Sequence, residues 1–110
     1  ESPAFDHGSP HGQDIAYVFK TLDDIQAKGI TSSDHKLSDM MSTYWTNFAK
    51  YGDPNGTGLP EWPVFSEANP NVLYLTDPIH TGPVPSESSL KVLDSYFKWR
   101  LSEEGKDWAK

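Results

Sequence analysis

Between Leu37 and Ala49 the apolar side chains Leu37, Met40, Met41, Tyr44, Trp45, Phe48 and Ala49 recur at three- and four-residue intervals. This spacing puts them on one side of a 3.6-residue helix and demands something apolar opposite. Ser32 or Ser33 is positioned to cap the start, with Asp34 in the electropositive first turn. Gly52 stands where a left-handed C-terminal residue is wanted, and Pro54 prevents continuation. The spacing predicts a helix over about residues 34–51. A second stripe, Leu90, Leu93, Phe97 and Leu101 with Val92, Tyr96 and Trp99 alongside, predicts a last helix from about Ser88 to Ser102. Residues 103–110 read as a charged, frayed tail.

Little else in the chain has regular periodicity. Residues 13–19 are too few to separate a short helix from a buried strand. Residues 20–31 read as a connection. Val72–Leu75 is a short strand candidate, and 76–86, with Pro78, Gly82, Pro83 and Pro85, reads as extended loop. One strand without a partner leaves backbone groups unpaired, so we read the chain as one part of a larger fold that its aromatic faces pack against. The start at Glu1, without Met, is read the same way. In the loop that follows the first helix, Asp53-Pro54-Asn55-Gly56 is a structural turn. Trp62 is expected to tuck inward, and Trp45, Trp62 and Trp99 to serve packing.

Composition removes several functions. Net charge is −7 with no basic stripe, which argues against nucleic-acid binding. With no Cys, disulfides, thiolate catalysis and Cys-based zinc sites are excluded. No apolar run approaches the roughly 18 residues of a membrane span, so membrane insertion is not expected. The chain reads as soluble; secreted and periplasmic locations both stay open.

The chemistry-bearing segment is His7-Gly8-Ser9-Pro10-His11-Gly12-Gln13-Asp14. A histidine in a Gly/Pro loop just ahead of a new element is free to face a cleft, and imidazole moves protons near neutral pH. An ordinary surface histidine is the commoner outcome for such a position; the loop raises the odds of a role. His7 and His11 have the four-residue spacing of two ligands on a helix face, but Gly8, Pro10 and Gly12 oppose a helix there. His35 and His80 are too distant in sequence to complete a set, so no metal is expected. Ser9 lies two residues from His11 without a nucleophile elbow, and G-x-S-x-G occurs nowhere in the chain.

Three blocks in order resemble the type-B carboxylesterases, the family that includes the cholinesterases. His11-Gly12-Gln13-Asp14-Ile15-Ala16-Tyr17-Val18-Phe19 is similar to the family's catalytic-histidine segment, H-G-x-E/D followed by apolar residues and ending in V-F. Tyr44-Trp45-Thr46-Asn47-Phe48-Ala49-Lys50-Tyr51-Gly52-Asp53-Pro54-Asn55 resembles its Y-W-x-N-F-A-x-x-G-D-P-N stretch, and Leu59-Pro60-Glu61-Trp62-Pro63 its L-P-x-W-P. The resemblance covers roughly residues 8–75 and departs at Pro10, where many members have Ala.

The resemblance implies an α/β fold class, with this chain the C-terminal part of an α/β-hydrolase: mainly helices and long loops with one or two short strands. It also implies hydrolysis of carboxylic esters by a Ser-His-Asp/Glu triad. On this reading His11 is the catalytic histidine, Gly12 and Asp14 support its loop, and no cofactor is required. The implied partners are a small-molecule ester and the remainder of the hydrolase domain, which would supply the serine, the acid and the oxyanion donors. Two other classes stay open: a non-catalytic esterase-like adhesion or binding protein, and an independent helical interaction module.

Overall fold

The computed structural model describes residues 9–25 and 29–108 of the 110. Among the described residues four helices and two strands follow in the order α1 (Gln13–Val18), α2 (Ser32–Tyr51), β1 (Asn71–Tyr74), β2 (His80–Pro83), α3 (Glu87–Leu101) and α4 (Glu103–Asp107). The segment that could have been helix or strand is the helix α1.

The long helix α2 starts and stops for local reasons. Its cap is Thr31, not Ser32 or Ser33. The Thr31 Oγ1 accepts the Asp34 N–H at 3.3 Å, and the Asp34 carboxylate in return accepts the Thr31 N–H at 2.7 Å. This reciprocal box needs an acidic group three residues beyond the cap, and Thr31 is the residue at that distance from Asp34. At the far end Gly52 adopts φ 71°, and its N–H returns to the Phe48 carbonyl. Only glycine enters this left-handed region at little cost.

The core sits where α1 and the segments after α2 meet the inner side of α2. Ala16, Leu22, Met41, Tyr44 and Leu73 are buried, with Ser38 the buried polar residue beside them. Tyr44 is the largest fully buried side chain among the described residues. Its hydroxyl donates to the Pro60 carbonyl at 2.5 Å, and its ring meets Trp62 edge-on with centroids 5.3 Å apart. Trp62 also leans on Trp45, so it is tucked against α2 as expected.

The loop that returns Trp62 to α2 is held by amides. Asn47 Nδ2 donates to the Pro54 and Asn55 carbonyls, and the Asn55 side chain bonds both backbone groups of Trp62. The turn at 53–56 is therefore structural, as the sequence suggests.

Two expectations fail. β1 has a partner within the chain: β2 runs antiparallel to it, in register from Asn71 opposite Pro83 to Tyr74 opposite His80. The Pro- and Gly-rich composition of 76–86 hid β2. Gly82 leaves room for the Tyr74 ring, which would stand 3.1 Å from a Cβ there, and Tyr74 stacks on His80. The tail also carries a short helix, α4, capped by Ser102 through the Gly105 N–H. It folds back on α3 because Gly105 has no Cβ, which would lie 2.1 Å from the Trp99 carbonyl oxygen. Arg100 then bonds the Gly105 carbonyl and lies over the Trp108 ring.

Apolar surface remains uncovered. α3 buries none of its residues, and Val92, Leu93, Phe97 and Leu101 are exposed, as are Phe48, Val64 and Phe65. A face of this kind normally meets further protein. No helix among the described residues is long and apolar enough to cross a membrane.

Candidate active site

His11 lies in a tight turn that delivers the chain into α1. The Gln13 N–H returns to the Pro10 carbonyl and the Ile15 N–H to the Gly12 carbonyl. Gly12 takes φ 78°, a left-handed conformation costly for any residue with a Cβ. The imidazole of His11 is exposed and forms no hydrogen bond or ion pair with a described residue. Asp14 is exposed in the first turn of α1 and likewise makes no side-chain hydrogen bond to a described residue. Its carboxylate sits at the helix end that favours negative charge.

A cleft of about 330 Å³ opens beside this turn, lined by Ser9, Pro10, Gln13, Asp14, Tyr17, Leu37, Met41 and Leu75. The side-chain oxygen of Gln13 is buried there without a partner among the described residues. The cleft therefore gathers the turn, α1, α2 and the residue after β1 around one mouth.

What holds the turn in place was not visible in the sequence. The Tyr17 hydroxyl donates to Asp34 Oδ1 at 2.7 Å, and Ser38 Oγ donates to the Tyr17 carbonyl at 2.6 Å. Together they bolt α1 onto α2. Asp34 also accepts from the Thr31 N–H and hydroxyl at 2.7 and 2.6 Å. These bonds, Thr31 first and Tyr17 next, favour the charged form and lower the Asp34 carboxyl below its usual range. Tyr17 moves the other way, raised from 10.0 to about 12, mainly by burial and further by the Asp34 carboxylate it faces. Only the capping position of Asp34 could have drawn attention to it; the link to Tyr17 joins residues 17 apart.

The remaining histidines stay apart from His11. His35 Nε2 lies 3.4 Å from Asp23 Oδ1 on the surface. His80 has its Nδ1 near the Pro78 carbonyl and the Thr76 hydroxyl. His7 lies outside the described residues. Among the described residues no three His, Asp or Glu side chains are grouped to hold a metal ion.

A left-handed glycine after an exposed histidine, a helix bolted behind it, and a long helix ending in the Asn47–Asn55–Trp62 clasp realise in three dimensions the three sequence blocks noted above. A match to the description "Carboxylesterase family" runs over residues 2–92, and the chain belongs to that family. The fold of that family is the α/β-hydrolase fold, with which a mainly helical piece bearing two short strands is compatible.

Individual relatives agree. The chain is 40% identical over 57 residues to cocaine esterase of Homo sapiens, covering 52% of this chain and 10% of that protein. It is 44% identical over 55 residues to liver carboxylesterase 1 of Oryctolagus cuniculus, with 50% and 9% covered. Against carboxylesterase 5A of Mus musculus the identity is 41% over 76 residues, with 66% and 13% covered. The chain thus spans about a tenth of the length of the curated relatives it matches.

Proposed function

We propose that this chain is the C-terminal, histidine-bearing part of a serine carboxylesterase, and that His11 is its proton shuttle. The observation that carries the reading is the His11 turn: an exposed imidazole with no bond to any described residue, carried on a backbone fixed by Gly12 and backed by α1. What separates it from an ordinary surface histidine is its place at the head of the segment His11–Phe19, inside the family match over residues 2–92. The relatives named above are esterases by name, which supports ester hydrolysis by the whole protein.

On this reading Nε2 of His11 accepts the proton of a serine hydroxyl as the oxygen attacks the ester carbonyl. The same proton passes to the leaving alcohol, and the imidazole then activates water to release the acid. The serine, the carboxylate that orients Nδ1–H and the oxyanion donors belong to the rest of the protein. The substrate class is a small carboxylic ester, and no cofactor enters the scheme. Gly12 and Asp14 support the turn: Gly12 by its left-handed backbone, Asp14 by its charge at the start of α1.

The test is His11→Ala in the full-length protein, assayed on an aryl acetate. The expected result is a loss in kcat on the order of ten-thousandfold or more. A near-normal kcat would rule out His11 as the base.

A further inference from the structure

The dipeptide Asn55-Gly56 is chemically labile, because glycine has no Cβ to hinder attack by its backbone nitrogen on the preceding side-chain amide. We propose that Asn55 is a deamidation site that opens only when its side chain lets go of Trp62 and Asp53 within the loop.

Both residues of the labile pair take part in holding the loop. A Cβ on Gly56 would lie 2.7 Å from Asn47 Nδ2, and that same Nδ2 donates to the Pro54 and Asn55 carbonyls at 3.2 Å each. A side chain at residue 56 would press on the Asn47 amide that clasps the loop to α2. Residue 55 has to present a donor and an acceptor together. Its Oδ1 accepts the Trp62 N–H at 2.7 Å, while its Nδ2 donates to the Trp62 carbonyl at 3.0 Å and to Asp53 Oδ1 at 2.9 Å. A carboxylate offers no donor in this position.

The same bonds protect the amide. For reaction, the Gly56 nitrogen loses its proton to a solvent base and forms a bond to Asn55 Cγ. The Cγ–Nδ2 bond breaks and ammonia leaves. Water then opens the resulting succinimide at one of its two carbonyls, giving Asp or isoaspartate, so the balance is one water consumed and one ammonia released. In the folded loop the amide must first abandon Trp62 and Asp53. Three hydrogen bonds of ordinary net strength hold back that opening by on the order of a hundredfold.

The product cannot restore the clasp. Its new oxygen would face the Asp53 carboxylate and the Trp62 carbonyl, acceptor against acceptor, and isoaspartate adds a methylene to the main chain. Each excursion of the loop thus carries a chance of permanent loss.

The experiment incubates the full-length protein in mildly alkaline buffer, natively and in urea, and follows tryptic peptide 51–91 by mass spectrometry for the gain of acid over amide. Deamidation at Asn55 is expected in urea and about a hundredfold more slowly in native buffer, this factor being the hydrogen-bond estimate above. Asn71, followed by Val72 in the same peptide, should remain intact and serves as the internal reference. Gly56→Ala, compared in urea so that folding is not at issue, should slow the reaction markedly. Equal rates in the two conditions would overturn the gating. An unreactive Asn55 in urea, or an unslowed Gly56→Ala, would overturn the site.

Discussion

Removing the Asp34 carboxylate should loosen α1 far more than a surface substitution does. Asp34→Ala deletes the partly buried bond from Tyr17 and half of the capping box with Thr31. A hydrogen bond to a charged group contributes about 1.5–3 kcal/mol and a cap about 1 kcal/mol. Discounting the exposed Thr31 contacts, the expected loss is about 2–3 kcal/mol, which quickens local opening roughly thirty- to a hundredfold. The reporters are the amides of Phe19 and Thr21, whose N–H groups return to Ile15 and Ala16. Hydrogen exchange of the full-length protein should show these amides accelerated, with the Gly52 amide at the far end of α2 unchanged. Tyr17→Phe should reproduce about half the effect and add nothing to Asp34→Ala, since both remove one bond.

The pH dependence has a definite sign. Asp34 is lowered from its ordinary 3.8, so its contribution is complete above that value and fades as pH falls through the lower folded value. Tyr17 is raised from 10.0 to about 12, so its contribution is complete below 10.0 and fades as pH rises toward 12. Protection of the α1 amides that stays unaltered in Asp34→Ala, or that strengthens below the carboxylate range, would refute the Tyr17–Asp34 bolt.

Two further outcomes follow from single contacts. Tyr44→Phe loses the hydroxyl bond to Pro60 and should quicken exchange of the Trp62 amide by about fivefold, the equivalent of about 1 kcal/mol; no change would mean that Tyr44 holds the loop by its ring alone. Gly12→Ala forces a side chain into φ 78°, although its Cβ would meet only Ile15 Cδ1 at an ordinary 3.6 Å. The strain of about 1–2 kcal/mol should be relieved by moving His11, lowering kcat of the full-length protein on the order of ten- to a hundredfold; an unchanged kcat would separate the turn from the chemistry.

The elements most legible in the sequence were those dictated locally. The stripe from Leu37 to Ala49 and the Gly52 stop placed α2 to within two residues at its start, the error arising because Thr31 rather than Ser32 or Ser33 is three residues from Asp34. β2 was missed because His80-Thr81-Gly82-Pro83 has almost none of the residues that favour strands; it forms because β1 lies opposite and Tyr74 needs the space at Gly82. α4 was missed for a similar reason, being short, charged and held by Arg100 and Gly105 instead of by an apolar stripe. At the candidate site, His11 and Gly12 stood out through the loop composition and the resemblance. Tyr17, Asp34 and Ser38 did not, since no periodicity links residues that meet only when α1 is laid on α2.

The hydrogen bonds that anchor α1, behind the His11 turn, and those that anchor the Trp62 loop reach the same helix. Tyr17 and Ser38 fasten α1 near the beginning of α2, while Tyr44 and Asn47 fasten the Trp62 loop near its end. A rod of 20 residues is about 30 Å long and yields little along its axis. The helix that follows the His11 turn and the loop that carries Trp62 are therefore fastened to opposite halves of one beam.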